Sequence, residues 1–483
     1  MSAVPPSALG TSDELSTEER NLTSLTIANV RLPHEDRALA SRLWRLKCKL
    51  GKVEDISLLQ SRDDVKPDES NIDAQGSILI PSFCHSHVHL DKCFILDRCT
   101  IVSGEFHEAL EVTGRAKAAF PLDLNDLYDR GARLIRESVQ FGVTSMRAHV
   151  EVDSIVGFAC LDVAQALQRK FELICDVQIA VFAQEPLFGA PGDTTPGLNF
   201  TLLQQALQRD GLTVVGSAPY VEPTIEQAKS NIALVMDLAV QYGAHLDFHL
   251  DYNLDADAEP LIYEVISQAR RNHEYWTQTP LRPRPRRITV GHATRLQLFT
   301  PAQWHHLAEA IKDLPITLVG LPQSDMYMQG RQDWDQPLGA PRSTLRVPHI
   351  LNEYGIEIAM SVNNVGNAFT PQGSLDPLSL CTFGVAVFQS ATPADIQTLV
   401  RSVTLTSKIT IGQDSAHLGL FPTRGDPADF VILHGTETLQ SAVLHPAWDR
   451  TTIRAGVMVS RRQTQVWFFD VDEGNPPACP TQA

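Results

Sequence analysis

Eight short apolar runs, most of them separated by amphipathic stretches of helical period, constrain this chain more than any other feature. In order they read SILIPSF, VTSMRAHV, DVQIAVFAQ, TVVGSAPY, HLDFHL, RITVGH, PITLVGL and IEIAMSV, between residues 77 and 362. Near-continuous apolar runs of this length suit strands covered on both faces. Their alternation with helices implies right-handed βαβ units in a parallel sheet. One of the intervening segments, 124–141, carries apolar residues at Leu124, Leu127, Leu134, Ile135 and Val139, a helical stripe. Eight such units in succession predict an α/β protein built on a (β/α)8 TIM-type barrel.

The two ends of the chain depart from this pattern. Short strand-like runs separated by polar turns occupy 24–32 and 45–59, and they return near the end as ADFVILHG and TTIRAGVMVSR. The simplest arrangement pairs them in a small flanking β-sandwich built from 23–76 and 415–470, with the barrel spanning 77–414. The Ser/Thr/Pro/acid-rich residues 1–22 and the segment 471–483 read as disordered tails, with no apolar signal core in the first. TPLRPRPRR at 279–287 reads as a solvated loop ahead of a strand.

Composition narrows the function. Of 483 residues, 43% are hydrophobic, enough for a large core and incompatible with global disorder. Lys and Arg number 40 against 57 Asp and Glu, a net charge of −17, which argues against nucleic acid or an anionic membrane as partner. The runs all fall short of the ~18 apolar residues a membrane span needs. The eight cysteines form no CxxC pair. Several lie in apolar runs, and the expectation is reduced, buried thiols in a cytoplasmic protein. Charge-poor helix faces leave a homo-oligomer open.

Histidines point to the chemistry. His87 and His89 stand two apart in CHSHVHLDK, at the end of the first barrel strand, so strand alternation turns both to one face. His249 ends the fifth strand candidate and His292 the sixth. Functional groups of such barrels sit at the C-terminal strand ends, so four imidazoles would meet at one mouth. Neutral imidazole is a good ligand for Zn or Fe, and one divalent metal ion held by His87, His89, His249 and His292 is the expectation. His149, at the end of the second strand, is ambiguous: it reads first as a packing or supporting residue and second as a further ligand.

The chain resembles the amidohydrolase superfamily, and within it the cytosine deaminase-like group. The stretches that carry the likeness are LTIANVRLP, HVHLD, GVTSMRAHVEV, VQIAVFAQE, VVGSAPYVEPT, FHLD, GHA, MQGR and GDPADFVIL, in family order along nearly the whole chain. The resemblance implies a barrel with a flanking β-sandwich, one divalent metal, and hydrolytic removal of an amino group from a small-molecule nitrogen heterocycle. It implies His87, His89, His249 and His292 as metal ligands and Gln184 as a substrate-binding residue.

Two departures accompany the likeness. The group's His-x-Asp-Glu pattern reads HLDY here, with Asp251 present and Tyr252 at the Glu position. The group's Gly-His-Asp-Asp reads SVNN, with Asn363 at the first Asp position. Asp251, Asn363 and Tyr252 are therefore the candidate catalytic positions, and Asp251, two residues beyond His249, is expected to be the surviving acid. The reading is a metal-dependent hydrolase of non-peptide C–N bonds. The alternative is a catalytically impaired relative that binds metal or ligand.

Overall fold

A computed structural model describes residues 24–68, 70–277, 286–331, 342–413 and 419–467. Both predicted tails, Cys479 and positions 279–285 of the Arg/Pro-rich stretch lie outside the described residues.

Sixteen strands are described: β1 (Ser24–Val30), β2 (Trp44–Lys49), β3 (Lys52–Leu58), β4 (Asn71–Asp73), β5 (Ile78–Pro81), β6 (Phe83–His89), β7 (Val143–Glu151), β8 (Asp176–Ala183), β9 (Val214–Ser217), β10 (His245–Leu250), β11 (Ile288–His292), β12 (Ile316–Gly320), β13 (Ile358–Met360), β14 (Phe430–Leu433), β15 (Arg450–Arg454) and β16 (Val457–Arg462). β6 to β13 form one eight-stranded sheet in chain order, every neighbouring pair parallel. The last strand meets the first through a parallel bridge between Val88 and Asn363, with His89 N donating to Asn363 O at 2.8 Å and Asn363 N to His87 O at 3.1 Å. The expected TIM-type barrel is the observed one. All nine residues of β7 and all six of β10 are buried, as strands between an inner core and an outer helical layer must be.

The helix expected at 124–141 spans Leu124–Gln140. Asp123 caps it by accepting from Asp126 N, satisfying one orphan donor of the first turn. Leu127, Leu134, Ile135 and Val139 are buried, but Leu124 at the start of the stripe is 45% exposed.

The run SILIPSF divides. Ile78–Pro81 pairs antiparallel with Phe430–Leu433, and the first barrel strand begins at Phe83. The remaining strands form two four-stranded sheets, β3-β2-β1-β4 and β16-β15-β14-β5. Both sheets contribute to one apolar layer that includes Leu25, Ile27, Leu46, Leu79, Phe430 and Ile432. Arg450 on β15 joins this flanking domain to the barrel layer. Its guanidinium donates to both oxygens of Asp376 at 2.6 and 2.7 Å and to Phe141 O at 2.8 Å. Asp376 also caps the helix Pro377–Phe388. Among the described residues, no helix is long and apolar enough to cross a membrane.

Candidate active site

The C-terminal ends of β6, β7 and β10 bring four imidazoles together. One ring nitrogen from each of His87, His89, His149 and His249 lies within 4.8 Å of the others, and all four residues are buried. His87 Nδ1, His89 Nδ1, His249 Nε2 and both His149 nitrogens lack a hydrogen-bond partner. Burial, reinforced by neighbouring histidines and, at His87 and His89, by Lys92, holds the pKa values of His87, His89 and His249 well below the usual imidazole range. Those three rings are therefore neutral and keep free lone pairs. Buried nitrogens without partners are costly in a protein interior, and a convergent set of neutral imidazoles is a donor set that suits Zn or Fe. The residues present fit a divalent ion.

His149, read from sequence as a supporting residue, stands inside this group. His292 stands beside it. Its ring centre is 5.7 Å from that of His87 and 5.4 Å from that of His249. Its Nδ1 is 3.0 Å from Asp325 Oδ1. Thr344 Oγ1 donates to the other Asp325 oxygen at 2.7 Å. Burial pushes the Asp325 carboxyl upward, opposed by its bond to His292. With Nδ1–H directed at Asp325, Nε2 is left for the cavity, which His292 lines.

Asn363 follows β13 in the left-handed region, at φ 63°. Its Oδ1 lies 3.1 Å from His87 Nε2 and its Nδ2 donates to Ser324 Oγ at 2.8 Å. A neutral amide, not a carboxylate, thus borders the histidine group. Asp251 is placed differently from the sequence expectation. It follows the last residue of β10 at φ 50°, where strand alternation no longer applies. Its carboxylate accepts from Leu261 N at 2.8 Å and Ile262 N at 3.1 Å, securing the start of the helix Ile262–Arg271. Burial pushes its pKa up to about 7. Asp251 is not among the residues lining the cavity.

Tyr252 does line it. Its ring packs on His292 with centres 3.8 Å apart and meets Phe106 edge-on at 5.5 Å. Burial and nearby Asp325 push its phenol well above the usual range, so it stays protonated. Gln184, immediately after β8, reaches the same cavity, its Oε1 accepting from Lys92 Nζ at 3.1 Å and its Nε2 donating to Tyr220 OH at 3.4 Å. Lys92 also donates to Glu151 at 2.8 Å. Glu151 is held from its other side by Lys117 at 2.9 Å, which also meets Asp153 at 2.9 Å. Arg147 lies beneath, donating to Asp247 and Thr289 at 2.8 Å each.

Phe106, Tyr220 and Phe369 complete the aromatic walls, and sequence reading missed them. They come from connections after three different strands and share no spacing that could have signalled them.

No family model matches the chain. It is similar to a pterin deaminase of Rhizobium rhizogenes, 24% identical over 399 residues, 80% of this chain and 82% of that protein. It is also similar to N-isopropylammelide isopropyl amidohydrolase of Pseudomonas sp., 21% identical over 408 residues, 82% of this chain and 90% of that protein. The structure of 5-methylcytosine deaminase from Klebsiella pneumoniae superimposes with a TM-score of 0.77 at 24% identity, covering 92% of this chain and 99% of that one. Over most of its length the chain is thus similar to deaminases and amidohydrolases of nitrogen heterocycles, and it shares their fold.

Proposed function

We propose that the chain is a metal-dependent aminohydrolase that removes an amino or alkylamino group from a flat nitrogen heterocycle. The observation that carries this reading is one cavity in which His89, His249 and the Asp325-bound His292 meet aromatic walls and the polar pair Lys92–Gln184. The names of the relatives, acting on pterin, N-isopropylammelide and 5-methylcytosine, agree with a planar substrate of this class.

His87, His89 and His249 would hold the ion, whose contribution when bound is Lewis acidity and a water that is nucleophilic near neutral pH. The chain's own residues supply the rest. Tyr252, Phe106 and Phe369 line the cavity with aromatic surface that excludes water and suits a flat heterocycle. Gln184 and Lys92, hydrogen-bonded to each other on the cavity wall, would meet the ring's oxo or imine edge. His292 holds or passes a proton at Nε2, and Asp325 fixes its tautomer and stabilises its charged form. That pair takes over the proton handling that Asp251 was expected to perform. Seven buried free cysteines among the described residues support a cytoplasmic setting.

The test is ammonia or amine release from a panel of aminopyrimidines, aminotriazines and pterins, with chelator-stripped protein as control. Release that disappears on stripping and returns with Zn or Fe is the expected result. Asn363 and Tyr252, standing where the resembling group has carboxylates, favour one second reading, a metal- or ligand-binding protein with impaired catalysis. Tight ligand binding without turnover across the panel would select it.

A further inference from the structure

We propose that His149 is the fourth ligand of the metal, completing an all-imidazole set with His87, His89 and His249. The inference rests on the metal-dependent reading above and assigns the role that sequence placed second.

Geometry is the first argument. The six distances between the four ring centres are 5.6 Å for His87–His89, 4.2 Å for His87–His149, 4.3 Å for His87–His249, 5.1 Å for His89–His149, 5.1 Å for His89–His249 and 4.8 Å for His149–His249. Imidazoles bound to one ion at ~2.0–2.1 Å place their ring centres ~3.2 Å from it, and four in a tetrahedron stand about 5 Å apart. The observed edges scatter around that value with every ring included.

The environment of the ring is the second. His149 Nε2 lies 3.2 Å from Asp247 Oδ1, close enough for an ion-pair contact, although the two atoms are not aligned as a hydrogen bond. Asp247 is itself anchored by Arg147 at 2.8 Å, and all three side chains are fully buried. A carboxylate behind one ring nitrogen is the arrangement that orients a metal-binding histidine and leaves the other nitrogen for the ion. His149 Nδ1 is that other nitrogen, buried and unpartnered.

The competing residues are the third. His292 is outside the tight group, with Nδ1 committed to Asp325. Asn363 has its amide nitrogen committed to Ser324 and supplies no negative charge. A set of His87, His89, His149 and His249 leaves both residues free to face substrate.

The experiment is X-ray absorption on the full-length protein loaded with Zn or Co(II), together with metal stoichiometry and chelator-competition affinity for wild type, His149→Gln, Asp247→Asn and His292→Gln. Wild type should show four imidazoles. His149→Gln should lose one and bind metal roughly 10–100-fold more weakly, and Asp247→Asn should keep four while losing about tenfold in affinity. His292→Gln should change neither count nor stoichiometry. The proposal is overturned if His149→Gln keeps wild-type affinity and imidazole count, or if His292→Gln loses the imidazole instead. Circular dichroism checks that the variants fold. If His149→Gln does not, the wild-type spectrum decides, and three or fewer imidazoles overturn the proposal. A wild type that takes up no metal refutes the metal-dependent reading itself.

Discussion

Asp251 follows the last residue of β10 and His292 is the last residue of the neighbouring β11, both at positive φ, 50° and 66°, and their side chains serve opposite ends. Asp251 turns to the backbone of a helix, while His292 turns to the cavity with Asp325 behind it. Asp251→Asn replaces one acceptor facing Ile262 N by a donor. It should lower stability by about 1–3 kcal/mol, and the folded fraction should keep most of its activity. Denaturant titration beside turnover per folded molecule separates the two. Asp325→Asn should act in the other direction. Metal content and fold should stay, while kcat falls roughly 10²–10⁴-fold through loss of the proton-carrying pair. Unchanged kcat in that variant would remove His292 and Asp325 from the chemistry.

At the scale of the elements, the His87 ring from β6 packs against β11 at Gly291, which has no side chain. A Cβ there would stand 2.8 Å from the His87 ring. Gly291→Ala should push His87 out of line and weaken metal binding by about tenfold or more, read by chelator competition with the folded signal intact. A second device ties β7 to the loop after β6 and to the helix Phe106–Lys117. Burial works against the Glu151 charge, but Lys117 and Lys92 outweigh it and pull the carboxyl down to about 2. Glu151→Gln leaves two buried ammonium groups short of an anion and should cost about 3–5 kcal/mol. Equal urea midpoints for variant and wild type would show the network to be dispensable.

At the scale of the molecule, the flanking sheets and the barrel are joined through the buried Arg450–Asp376 pair and the shared run β5 to β6. Removing one partner of a buried pair strands the other charge, so Asp376→Asn should cost about 3–5 kcal/mol. The loss should appear in one cooperative transition, with far-UV circular dichroism and tryptophan fluorescence coincident. Two separated transitions in wild type would mean that the sheets and the barrel fold independently.

The eight βα units, the flanking sheets from both chain ends and the His87/His89 pair were legible in sequence, because strand and helix periodicity is a local property of neighbouring residues. The division of SILIPSF was not, since Ile78–Pro81 and Phe83–His89 are equally apolar and differ only in which strands they pair with. Alternation put His87 and His89 on one face but could not be extended past a strand's last residue, where the positive φ of Asp251 turned its carboxylate away from the cavity. The membership of His149 in the histidine group, the Asp325 behind His292 and the walls of Phe106, Tyr220 and Phe369 were decided by barrel closure. Closure sets side by side residues separated by tens to hundreds of positions, and no local pattern records such distances.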